Sequence, residues 1–394
     1  MTTDPAFAPA TSPPTPEKQE PFGLYIHWPF CLSKCPYCDF NSWPRLNVDH
    51  ESWRKALAAR LDFFAERTGP RTISSIFFGG GTPSLMEAKT LETLIDKAAR
   101  RWALPSDAEI SMEANPTSAE ESRFRDYRTA GVNRLSLGVQ ALDDAALKKL
   151  GRTHSLSEAL HALELARSVF PRMSFDLIYA REKQTPEEWR DELTFALTLA
   201  ADHISLYQLT LSASCREIAL PDADRAAELY LLTDAVCEQA GLPAYEVSNY
   251  ARPGEECRGN LLYWEGGDYV GVGPGAHGRL NLPEAGGSWA LVETPDPDLW
   301  LRRSINNDPE ILEATPLSAK ERAWELVIMG LRLVKGVDID CFRPQCQGPL
   351  TKVMDKRAIE RLIGEQFLER REKWLRTTLK GRLVLDAVVE NILV

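Results

Sequence analysis

Cys31, Cys35 and Cys38 stand as Cys-x3-Cys-x2-Cys, three thiols within eight positions of a 394-residue chain that has eight cysteines in all. The other five, Cys215, Cys237, Cys257, Cys341 and Cys346, are scattered. So few in so long a chain do not make a disulfide scaffold, and the tight triplet points to metal or redox chemistry. A structural zinc site wants four closed ligands, and no further Cys or His lies nearby at finger spacing. Three soft thiolates suit a 4Fe-4S cluster with three irons tied to protein and a fourth open to a ligand.

A reactive loop needs a frame. The triplet follows a short apolar run, Leu24–Trp28, and such runs alternate with helical patterns along the chain. Leu24–Trp28 precedes a helix over Asp49–Glu66, Ile73–Phe78 precedes Glu87–Trp102, and Glu109–Glu113 precedes Ala119–Ala130. Arg134–Val139 then leads into a helical stretch ending at Ser168, Met173–Tyr179 into Thr185–Ala200, and His203–Leu209 into Asp222–Ala240. Six strand–helix units require parallel pairing with right-handed crossovers. A closed eight-unit barrel takes about 250 residues, so the expectation is α/β, a partial (β/α)6 barrel. Its active face would lie at the strand C-termini, where the cysteine loop sits.

Two more strand ends carry candidates. Gly79-Gly80-Gly81-Thr82-Pro83 ends the second strand, where glycines let backbone approach a ligand and could offer N–H groups to a carboxylate or phosphate. Glu113-Ala114-Asn115-Pro116 ends the third, where a carboxylate could accept hydrogen bonds from ribose hydroxyls. His27, two residues past Tyr25 on the same strand face, either assists this site or is a satisfied core histidine.

Composition narrows the rest. The net charge is −11, which disfavours broad nucleic-acid or anionic-membrane binding. No stretch approaches the roughly 20 apolar residues of a transmembrane helix, and residues 1–20, rich in Pro, Thr, Ser and Ala, lack the pattern of a secretory signal. The expectation is a flexible tail over 1–20, the barrel over 21–245, an irregular connecting segment with short strands over 246–316, rich in Gly and Pro, and a C-terminal helical domain over 317–394. That last unit carries Trp324, Leu326, Val327, Leu331 and Val334 on one stripe, a second helical run at Lys352–Leu362, and an apolar, basic Leu375–Leu385 that suits the hairpin of a winged helix. Ser318–Val394 has 15 basic and 11 acidic residues, a weak excess that makes DNA binding a rival reading of a different class.

The triplet resembles the hallmark of the radical S-adenosylmethionine enzymes. Leu24-Tyr-Ile-His-Trp-Pro-Phe-Cys31, Phe77-Phe-Gly-Gly-Gly-Thr-Pro-Ser84, Arg134-Leu-Ser-Leu-Gly-Val-Gln140, Leu150-Gly-Arg-Thr-His154 and Phe175-Asp-Leu-Ile-Tyr179 resemble, more narrowly, the oxygen-independent coproporphyrinogen III oxidase family over roughly residues 22–385. The resemblance implies a cluster on Cys31, Cys35 and Cys38 and S-adenosylmethionine contacts from Tyr25, Tyr37, Gly80, Gly81, Thr82 and Glu113. It further implies that Gln140, Arg152 and Asp176 match a second S-adenosylmethionine site of the oxidase.

Within that family the true oxidase carries a fourth cysteine two residues after the triplet, where this chain has Phe40. Cys38-Asp39-Phe40 resembles the other branch, the haem chaperones of the HemW type, which carry haem to membrane respiratory haemoproteins and have no established oxidase activity. The expectation is therefore a cytoplasmic haem carrier, homodimeric or peripherally membrane-associated through partners, with no nucleic-acid role; the alternative is the oxidase itself. One position departs from that branch. Its His-Asn-x-x-Tyr-Trp motif reads Gly259-Asn260-Leu261-Leu262-Tyr263-Trp264 here, and glycine cannot ligate iron. Cys257 and His277 are then the nearest candidates for a haem ligand.

Overall fold

Along the expected strands, apolar residues alternate with small or polar ones, and that alternation produces a sheet with two different faces. The computed structural model describes residues 21–211, 219–282 and 287–394; the tail over 1–20 and Cys215 lie outside them. Six strands run parallel in chain order: β1 (Phe22–Trp28), β2 (Ile73–Gly80), β3 (Glu109–Ala114), β4 (Arg134–Gln140), β5 (Arg172–Tyr179) and β6 (His203–Gln208). Leu24, Ile26, Ile76, Phe78, Met112, Leu135, Leu137, Phe175, Leu177 and Ile204 pack with helix residues such as Leu57, Leu61, Leu91 and Leu163 in one core. The other parity carries Ser111, Glu113, Ser136, Gly138, Gln140, Ser174, Asp176 and Tyr207. A closed (β/α)8 barrel fills its interior with branched aliphatics; this concave face is polar, and a cavity opens over it.

Helices lie between the strands at nearly the expected positions: His50–Thr68, Ala88–Arg101, Leu156–Val169, Pro186–Leu199 and Ala223–Gln239. Four start on a side-chain cap from Asp49, Ser155, Thr185 or Asp222, those of Ser155 and Thr185 closed as capping boxes by Glu158 and Glu188. The continuous helix expected over Ala119–Ala130 is instead two short ones, Ser118–Glu121 and Phe124–Thr129. In the first of them the Glu120 carboxylate turns inward to accept from the Asn115 N–H at 2.8 Å and from the Ser84 hydroxyl.

The short strands expected within residues 246–316 extend the sheet at both edges. They add β7 (Asn249–Ala251) antiparallel to β6 at one edge, and β8 (Asp268–Val272), β9 (His277–Leu282), β10 (Gly287–Glu293) and β11 (Leu312–Leu317) at the other. The strand order is β11-β10-β9-β8-β1-β2-β3-β4-β5-β6-β7, an open sheet with β8 parallel to β1. The glycines of these strands and their turns have local causes. Gly275 bends the β8–β9 turn at φ 72°, and a Cβ on Gly278 in β9 would stand 3.1 Å from the Tyr269 carbonyl oxygen, tighter than an ordinary contact.

The C-terminal unit has its own core of Leu326, Val327, Leu331, Leu350, Leu362, Leu375 and Val388, among others. Its helices Ala319–Gly330 and Lys356–Gly364 start on the Ser318 and Asp355 caps, and a three-stranded sheet completes a winged-helix-like arrangement. The hairpin lies earlier than expected. Its strands are Leu368–Arg371 and Trp374–Thr377, with the turn at Glu372-Lys373, whereas Lys380-Gly381-Arg382 sits in a short helix because Thr378 caps the Gly381 N–H. Arg322 and Glu325 bind the Gly266 carbonyl and Arg279, tying this unit to residues at the N-terminal end of β8 and to β9. Among the described residues, no helix is long and apolar enough to cross a membrane.

Candidate cluster and cofactor site

A cavity of about 410 Å³ opens at the C-terminal ends of the parallel strands, and all of its lining residues lie between Cys31 and Thr210. The three cysteines line it, none in a disulfide. So do Tyr37, Gly80, Gly81, Thr82, Glu113, Gln140, Arg152 and Asp176, eight of the nine positions that the resemblance offers as cofactor contacts.

Tyr25 is the exception. Its ring stacks on Phe77 with centroids 6.2 Å apart, and its hydroxyl meets His27 Nδ1 at 2.9 Å. His27 Nε2 lies 2.9 Å from the Asn41 carbonyl, which can only accept, so Nε2 carries the proton and Nδ1 accepts from Tyr25. Both ring nitrogens are satisfied, and burial lowers the His27 pKa. Of its two readings, the satisfied core histidine is the one this geometry matches.

The glycine loop works differently from expectation. The Gly80 N–H donates to Glu113 Oε2 at 3.2 Å, the Gly81 N–H to the Trp28 carbonyl at 2.7 Å and the Thr82 N–H to the Phe30 carbonyl at 2.8 Å. Its amides are spent on protein acceptors and are not a free anion cradle. The glycines serve close approach instead: a Cβ on Gly81 would stand 2.7 Å from the Phe30 carbonyl oxygen, and Gly80 has φ 116°.

Opposite this loop lie the carboxylates. Burial, reinforced by Asp176, pushes the Glu113 pKa up to about 8. Burial also raises Asp176 to about 6, against hydrogen bonds from Ser205 and Ser136, the latter 3.2 Å away. Near neutral pH Glu113 thus holds its proton and Asp176 has mostly lost its own. Gln140 ends β4 at φ 73°, beyond a register shift, which turns it toward the cavity.

Arg152 joins the walls. Its Nη1 donates to Cys35 Sγ at 3.6 Å, and its Nη2 to Asn115 Oδ1 at 2.5 Å and to the Gly138 carbonyl at 2.9 Å. Asn115 in turn donates to Thr82 Oγ1 at 3.2 Å. Ser136, Asn115 and Tyr207 belong to this site but were not singled out from the sequence. The signal was available for Ser136, which shares a strand face with Gly138 and Gln140 by the two-residue period. For Tyr207 no local signal exists.

The donor set fits a multi-iron cluster. The three thiols line one cavity, whose wall also holds the buried Arg152 Nε with no hydrogen-bond partner. Burial and the neighbouring Cys38 raise the Cys31 thiol pKa, a cost that iron binding to the thiolate removes.

The haem candidates part company. Gly259 and Cys257 lie at the opposite end of the sheet, at the start of β3: the Gly259 N–H and the Cys257 thiol both reach Glu109 Oε1, at 3.3 and 3.4 Å. Cys257 is 1% exposed, and burial pushes its pKa up to about 12, so it is an inert core thiol. His277 is exposed at the first position of β9, on the same end of the sheet as the cavity.

A sequence model of the Radical SAM superfamily matches residues 25–196, and one of the HemN C-terminal domain matches 317–384. The mitochondrial radical S-adenosyl methionine domain-containing protein 1 of Bos taurus is 38% identical over 395 residues, covering 96% of this chain and 89% of that protein. The heme chaperone HemW of Escherichia coli (strain K12) is 35% identical over 385 residues, covering 95% and 99%. The solved structure of coproporphyrinogen III oxidase (HemN) from Escherichia coli aligns with a TM-score of 0.77 over 95% of this chain and 90% of that one, at 23% identity, which is a likeness of fold.

Proposed function

The chain belongs to the radical S-adenosylmethionine superfamily and, within it, to the HemW/HemN-like family, and on that premise we propose that it is a haem carrier that hands haem to membrane haemoproteins. The observation that carries this reading is Phe40. Its ring stands 57% exposed at the cavity rim, at the place of the oxidase's fourth cysteine. The oxidase reading draws on Gln140, Arg152 and Asp176 sharing one cavity with the cysteines.

In this proposal Cys31, Cys35 and Cys38 hold the cluster. A 4Fe-4S cluster with one open iron supplies, when bound, the electron that cleaves S-adenosylmethionine to a 5′-deoxyadenosyl radical. This chain's own residues shape the space around it. The Gly80–Thr82 loop, locked by its spent amides, forms one wall; protonated Glu113 presents an O–H or a carbonyl to a ribose hydroxyl; ionised Asp176 and Arg152 oppose each other in charge across the floor. His277, the accessible one of the two candidates, is the proposed haem ligand.

Hemin titration of the anaerobically reconstituted protein tests the reading. The expected result is a saturable, near-stoichiometric shift of the Soret band, lost in His277→Ala and kept in Cys257→Ala. No saturable shift, with iron and sulfide content intact, overturns the carrier role, and protoporphyrinogen formation from coproporphyrinogen III would then establish the oxidase.

A further inference from the structure

The motif that delivers Arg152 is built for rigidity. Helix Asp144–Lys149 ends with Leu150, then Gly151 at φ 70°. The Gly151 N–H returns to the Lys148 carbonyl at 3.1 Å and the Arg152 N–H to the Leu147 carbonyl at 2.9 Å, a Schellman closure that fixes where the Arg152 Cα stands. The cysteine loop rests on this turn. A Cβ on Gly151 would lie 2.8 Å from Pro36 Cδ, so only glycine lets the loop approach so closely. Tyr37, the next residue, packs on a small core of Leu147, Leu150, Ile178 and Leu209.

Arg152 is the polar half of the same contact. Three of its donated bonds are accounted for, one to the Cys35 sulfur and two to acceptors at the ends of β3 and β4. A guanidinium fork can span these partners at once, which a lysine ammonium cannot do with the same geometry. A donor aimed at a ligand sulfur does more than position it, because hydrogen bonds and positive charge at cluster sulfurs favour the reduced, more negative cluster and so raise its potential.

We propose that Arg152 is a positioning residue for the cluster: it clamps the cysteine loop to the ends of β3 and β4 and, through its bond to Cys35, sets the cluster's reduction potential. This inference rests on the cluster assignment made above. It gives Arg152 a different task from the one the resemblance implies, in which its fork clasps the carboxylate of a second S-adenosylmethionine.

The test is an EPR-monitored redox titration of the reconstituted parent, Arg152→Gln and Arg152→Lys proteins without S-adenosylmethionine, with iron and sulfide assayed on each. In Arg152→Gln the ratio of reduced to oxidised cluster, read at the parent's midpoint, should fall about tenfold, which for one electron is a shift of about 59 mV to more negative potential. Arg152→Lys, which keeps the charge and one donor, should recover most of it. An unchanged potential in Arg152→Gln at full iron content overturns the proposal. If Arg152→Gln holds no iron, the lysine variant decides: iron retained at a potential near the parent's supports the role of the charge at Cys35, and iron retained at a clearly more negative potential overturns it. The carboxylate-clasping role would instead lower S-adenosylmethionine stoichiometry and leave the potential of the cofactor-free cluster unchanged. A parent that takes up no iron–sulfur cluster refutes the cluster assignment itself, a separate outcome.

Discussion

Glu113 shows how far a residue's chemistry departs from its type once its surroundings are set. A carboxyl raised from 4.5 to about 8 binds a proton in the folded protein over a pH range in which the unfolded chain has released it. The folded state then holds more protons than the unfolded one, so stability falls as pH rises through that window. The cofactor-free protein should therefore lose thermal stability between about pH 5 and 8, with Asp176 adding to the lower part. Glu113→Gln should lose less, so the gap in Tm between variant and parent widens as pH rises; a constant gap in calorimetry would refute the assignment. That Glu113 matters was legible from its place at a strand end. That it would be protonated was not, because its burial and its nearness to Asp176, 63 positions away, exist only in the folded chain.

At the scale of the element, the loops after the strands derive their shape from backbone rather than from side chains. The Gly79–Pro83 loop was legible as a site, but its amides, expected to face a ligand, bind the carbonyls of Trp28 and Phe30. Gly81→Ala therefore sets a methyl against a main-chain carbonyl 2.7 Å away, which cannot move cheaply. Overpacking of this kind costs about 1–3 kcal/mol, so the urea midpoint should fall with the slope unchanged. The strands of 246–316 were the least legible elements. They form because the edges of a parallel sheet need partners, a requirement set by β1 and β6 and not by the local sequence.

Across the whole molecule, the added edge strands are fastened to the barrel through buried charge. Arg60 on the first helix donates to Glu293 Oε1 of β10 at 2.7 and 3.1 Å, Trp300 donates to Oε2 at 2.6 Å, and Trp300 stacks on Trp53 with centroids 5.3 Å apart. Removing one partner of a buried pair leaves the other uncompensated, so Arg60→Ala should cost about 3–5 kcal/mol, measured by denaturant unfolding, and Arg60→Met combined with Glu293→Gln should recover much of it. The sequence by itself determined the six-unit alternation, the cysteine triplet after the first strand and the glycine loop and Glu113 at the next two strand ends, because strand and helix periods are local and a ligand loop must follow a strand end; Tyr37, Gln140, Arg152 and Asp176 were named by the resemblance. Tertiary structure decided the rest. It turned Tyr25 and His27 toward each other, spent the glycine-loop amides, sent Cys257 and Gly259 to the far end of the sheet, and brought Arg152 onto Cys35, 117 positions away in the chain. Each of these depends on which distant acceptor or charge a group meets, and that partner is chosen by packing, which no local pattern encodes.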